Sequence, residues 1–218
     1  MRRRRSSAAG GFTLVEAAIS VALIGSLIAV VIGLLGRAQE LEAHAIAMAD
    51  LRTKARFTLD RITRELRDSG ASSFDPAQPA APLGASGLTF RRAVGFSSGA
   101  IQWGPPRRIE WRLAPGEVED GLDNNGNGLA DEGQIRFIEN PGASPTVDVV
   151  LCDGVGKLAL GETADALDNN GNGLVDERGL AFELLADVLI VRITLERSLR
   201  DGSKLRIAVE TAILIQNP

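Results

Sequence analysis

The chain has 218 residues, 24 of them basic and 28 acidic, for a net charge of -4 and a pI near 5.2. Four of the arginines, Arg2, Arg3, Arg4 and Arg5, form one run at the start, so the rest is more acidic still and offers no basis for nucleic-acid binding. A single cysteine, Cys152, excludes an intrachain disulfide, and its setting in Val149-Val150-Leu151-Cys152 reads as a small buried residue.

Residues 1–11 form a short basic leader. Residues 17–36 follow as an apolar run of about 20 positions without a charge, roughly 30 Å as a helix and enough to cross a bilayer. Basic residues beside such a run stay on the cytoplasmic side, which sends the C-terminal body across. Glu16 stands at the edge of the run, where an unpaired carboxylate in lipid costs about 2.5 kcal/mol or more. An ordinary secretory signal has a shorter apolar region and is cut after it. The arginine run also allows a twin-arginine export signal, but accounts for less of the region.

Gly11-Phe12-Thr13-Leu14-Val15-Glu16, between a basic leader and a long apolar helix, resembles the N-terminus of type IV prepilins and of the related pseudopilins of type II secretion. The resemblance implies that a prepilin peptidase cuts after Gly11 and methylates Phe12. It also implies that Glu16 pairs with the free amine of a neighbouring subunit as the chain leaves the inner membrane for a filament. Burial of both charges then favours assembly in register.

The helical period continues beyond the apolar run, with Leu41, Ala45, Met48, Ala55, Leu59, Ile62 and Leu66 at helical spacing and charges elsewhere. One helix is therefore expected over 12–68, a transmembrane part (12–36) followed by an amphipathic part (37–70). Ser69-Gly70 is the expected stop, with glycine in the left-handed conformation. His44, the only histidine, reads as a surface or packing residue.

Residues 71–218 read as a β-rich body. Pro76, Pro79 and Pro82 mark a loop. Strand patterns follow at 88–92, 108–113, 135–138 and 147–152, and at 188–197 and 204–215 as a hairpin turned by Asp201-Gly202. In the first of these with clear alternation, Ile109, Trp111 and Leu113 should face the core and the intervening charges water. The expected fold class is α+β, a long N-terminal helix on an antiparallel sheet.

The body also carries an internal repeat: residues 120–132 recur at 165–177 around Asp-Asn-Asn-Gly-Asn-Gly-Leu. Alternate oxygen-bearing side chains followed by glycine suit a hard cation. In this register Asp123, Asn125, Asn127 and Asp131 offer side-chain oxygens and Leu129 a carbonyl. In the second copy these are Asp168, Asn170, Asn172, Asp176 and Leu174. The pattern is similar to the calcium loops of EF-hands, dockerins and thrombospondin-type repeats. Where an EF-hand has its closing glutamate stand Gln134 and Gly179, so completion is expected from Asp120 or Glu132 and from Asp165 or Glu177. The same residue types also make turns without any metal. Calcium would be bound weakly, on the order of 10⁻⁴ to 10⁻³ M.

The body and the closing segment 213–218 are similar to W-type minor pilins and J-type pseudopilins. The function expected is a non-enzymatic structural subunit that enters or initiates a pilus-like or secretion filament. Its partners would be prepilin peptidase, the other minor subunits, the major subunit and the inner membrane. A membrane-anchored extracytoplasmic calcium-dependent binding module is the alternative. The sequence has no phosphate-binding glycine loop or histidine cluster that would indicate catalysis.

Overall fold

The computed structural model describes residues 13–76 and 86–215. Gly11, Phe12, Pro79, Pro82 and the last residues, Gln216 to Pro218, lie outside them. By its contacts the chain divides into Met1–Ile46 and Ala47–Pro218, and helix α1, Leu14–Leu66, runs through the division.

In the first unit every side chain over 13–43 is exposed. Among the described residues α1 alone is long and apolar enough to span a membrane, and none of its apolar window is buried. Its few hydroxyls are satisfied by the helix itself: Ser20 Oγ donates to the Glu16 carbonyl at 2.8 Å and Ser26 Oγ to the Leu23 carbonyl at 2.8 Å. A helix that meets its own polar needs suits a solvent without hydrogen-bond partners.

In the second unit the same helix becomes one-sided. Ala47, Leu51, Ala55, Thr58, Leu59, Ile62 and Leu66 are buried, so the stripe starts later than its sequence pattern suggests and includes Leu51, while Leu41 and Ala45 stay exposed. The helix ends differently from expectation. Gly70 has φ -123° and is extended, not left-handed. Instead Ser69 turns the chain, its N–H and hydroxyl both donating to the Leu66 carbonyl, and pairs as an isolated bridge with Arg92.

The sheet is antiparallel and has seven strands: β1 (Gly87–Ser97), β2 (Ala100–Leu113), β3 (Gly133–Glu139), β4 (Val147–Val155), β5 (Leu180–Leu185), β6 (Val188–Ser198) and β7 (Lys204–Leu214). Their order is β1-β2-β3-β4-β6-β5, with β7 also on β6. The architecture is thus α+β. Phe90, Ile109, Ile135, Phe182, Val191, Ile193 and Leu195 from the sheet form one core with Ile62 and Leu66 of the helix, and Cys152 is buried in it.

Three features depart from the sequence pattern. The β1–β2 hairpin extends to a two-residue turn, with Ser97 opposite Ala100, although Gly104-Pro105-Pro106 would normally end a strand. Register shifts on both sides of Ala93 accommodate that stretch. Strand β5 opens on the apolar run Leu180-Ala181-Phe182 and is buried through Glu183, so no alternation announces it. Glu110 is 9 % exposed rather than wet, because Arg108 and Arg112 both pair with it.

Candidate functional site

Two places bear on function, the start of α1 and the two repeated loops. At the helix start Thr13 and Glu16 close a reciprocal cap. The Glu16 carboxylate accepts from the Thr13 N–H and hydroxyl, both at 2.9 Å, and the Glu16 N–H donates to Thr13 Oγ1 at 3.3 Å. This arrangement satisfies orphan donors of the first turn. Its side chains are exposed, so the carboxylate faces whatever surrounds the helix.

The first loop joins β2 to β3 and the second joins β4 to β5. Each closes at its base by the same bond, from Ala114 N–H to the Glu132 carbonyl (3.0 Å) and from Ala159 N–H to the Glu177 carbonyl (2.9 Å). Inside, Asp123 gathers the N–H groups of Gly126, Asn127 and Gly128 at 2.7, 3.2 and 2.7 Å. Asp168 gathers Gly171, Asn172 and Gly173 at 2.7, 3.2 and 2.9 Å. That wrap needs φ of +78° and +86° at Gly126 and Gly128, and +74° and +89° at Gly171 and Gly173, which glycine alone adopts freely. The leucines that follow, Leu129 and Leu174, are buried and pin each loop to the body.

The amides and one glutamate then converge. Glu132 Oε1 accepts from Asn125 Nδ2 at 2.8 Å and Asn127 Nδ2 at 2.6 Å. Glu177 Oε1 accepts from Asn170 Nδ2 at 3.0 Å and Asn172 Nδ2 at 2.6 Å. Each glutamate is almost fully buried, and its Oε2 has no hydrogen-bond partner.

The remaining acids are engaged elsewhere. Asp131 accepts from the N–H groups of Asp120 and Gly121 and from Lys157 Nζ at 2.7 Å. That lysine, above all, holds its carboxyl below the usual range. Asp176 accepts from Asp165 N–H and Ala166 N–H. Asp120 and Asp165 cap their own turns through Leu122 N–H and Leu167 N–H. Of the residues singled out by the repeat, the structure therefore brings Asn125, Asn127 and Glu132 together, and likewise Asn170, Asn172 and Glu177, next to the Asp123 and Asp168 wraps. It places Asp120, Asp131, Asp165 and Asp176 in the loop frame.

Two further residues matter that the repeat boundaries left out. Glu117 is buried, and it accepts from the N–H groups of Asn124, Asn125 and Asp131 at 3.1, 2.9 and 3.1 Å. Glu162 accepts from Asn170 N–H at 2.9 Å and Asp176 N–H at 3.2 Å. Both lie in an upstream extension of the repeat, Ala114-Pro115-Gly116-Glu117 and Ala159-Leu160-Gly161-Glu162, which was the signal available.

The loops differ in their ties. Lys157 and Arg178 both reach Glu119 beside the first loop, at 3.5 and 2.8 Å, and Arg178 stacks over Trp111 with 4.7 Å to the ring centre. The first loop also lines a cavity of about 470 Å³, where Asn125, Asn127 and Glu132 face Asp50, Lys54 and Asp153. Among the described residues no group of three or more His, Cys, Asp or Glu side chains is placed to hold a metal. Any ion here would be held by few carboxylates, with amide and carbonyl oxygens making up its shell.

No family model matches the chain, and neither a curated protein nor a solved structure is significantly similar to it.

Proposed function

We propose that this chain is a structural subunit of a type IV pilus-like or type II secretion filament, processed at Gly11-Phe12 and held in the inner membrane until assembly. One observation carries the reading: an apolar helix, its side chains exposed over 13–43, begins with a single acid. Among the described residues the donors to that acid are the backbone and hydroxyl of Thr13 alone. Both of these donors are neutral, and in lipid an ammonium from a neighbouring chain lowers the cost of burial. Cleavage after Gly11 would create such an amine at Phe12, directly before the cap. The body then lies outside the cytoplasm, joins other minor subunits, and takes part in no catalysis.

Replacement of Glu16 by Ala tests this reading. The variant is expected to remain in the membrane fraction with a folded body and to be lost from sheared filaments or from cross-linked complexes with neighbouring subunits. Undiminished incorporation would remove the pairing role. It would favour instead a membrane-tethered binding module that acts through its loops.

A further inference from the structure

We infer that each loop is a calcium site closed by a buried glutamate, Glu132 in the first and Glu177 in the second. The inference is independent of the filament reading. It rests on an unmet chemical need that occurs twice. Glu132 is 1 % exposed and Glu177 2 % exposed. Each turns one oxygen to a pair of asparagine amides and leaves the other without a partner. Among the described residues these are the only buried side-chain oxygens so orphaned. An unsatisfied buried carboxylate oxygen is expensive. A cation relieves it directly.

The surroundings supply oxygen and nothing softer. Asn125 Oδ1 and Asn127 Oδ1 each accept one backbone N–H, at 3.1 and 2.8 Å, and so do Asn170 Oδ1 and Asn172 Oδ1, at 3.0 and 2.8 Å. A carbonyl oxygen has a second lone pair to give. With Asp123, the Leu129 carbonyl and both oxygens of Glu132, or their counterparts Asp168, Leu174 and Glu177, the donors suit an ion that takes about six to eight oxygens in flexible geometry. That is calcium rather than magnesium, which demands a near-ideal octahedron and keeps its waters. The ligand set differs from the register in the sequence. Asp131 and Asp176 belong to the frame, and the glutamate after each closes the site.

The test uses the full chain in detergent micelles, stripped with chelator and titrated with calcium by calorimetry. One ion per loop is expected, with dissociation constants on the order of 10⁻⁴ to 10⁻³ M. Glu132→Gln should lose one ion, Glu177→Gln the other, and the double variant both. Asp120→Asn, which keeps its turn-capping oxygen, should retain both. Absence of calcium uptake by the unaltered chain at about 10⁻² M, ten times the weakest expected constant, would overturn the inference. So would full binding by folded glutamine variants. Should those variants not fold, thermal unfolding of the unaltered chain decides: calcium must raise Tm more than equimolar magnesium does. Equal or absent shifts would contradict it.

Discussion

Residues 14–46 and 47–66 share one continuous helix, yet Leu23, Ile24, Leu27, Val30 and Ile32 of the first part are more than half exposed, whereas Leu51, Ala55, Ile62 and Leu66 of the second are buried. Backbone hydrogen bonding is the same in both. What differs is burial. The second part completes a core with its own chain, and the first, long and apolar enough to span a membrane, keeps its apolar surface exposed.

That contrast makes unequal demands on substitution. The largest effect is expected at the centre of the core. Ile62→Ala should lower unfolding stability by about 2–5 kcal/mol, whereas Leu27→Ala, the same kind of truncation in the exposed part, should leave the body's unfolding midpoint unchanged. Chemical denaturation of the full chain in micelles, followed by tryptophan fluorescence, measures both. Comparable losses would mean that the apolar part is packed on the body.

A smaller loss should follow at the loops. Glu117→Ala strands three buried or half-buried N–H groups and is expected to cost roughly 1–3 kcal/mol. Glu162→Ala strands two and should cost less on the same scale. The smallest effect is expected from Lys157→Ala, about 1 kcal/mol or below, because the lysine is partly exposed and Asp131 keeps its backbone donors. Hydrogen exchange should then rise in the first loop and stay constant in the second, where Asp176 is held by backbone N–H groups of its own loop.

The sequence made legible whatever depends on local chemistry or period. The helix, six of the seven strand regions and the Asp201-Gly202 turn could be read because 3.6-residue and two-residue patterns are geometric consequences of which face is buried. Strand β5 could not, since Leu180-Ala181-Phe182 is apolar without alternation. The left-handed Gly70 was a local expectation overruled by tertiary structure: Ser69 bridges to Arg92, and that pairing draws the chain into an extended path. In the loops, the wrap around Asp123 was written in the Asn-Gly pattern. The assignment of Asp131 to the frame was not, because Lys157 reaches it from beyond β4. Glu117 and Glu162 were within reach of a longer repeat alignment.

The proposed entry into a filament depends on a processed N-terminus and the acid that follows it. Intact-mass and N-terminal peptide mass spectrometry of the chain recovered from the membranes of its own cells is the decisive experiment. A polypeptide that begins at N-methylated Phe12 is expected. A retained leader, or a cut on the far side of the apolar run, would contradict it.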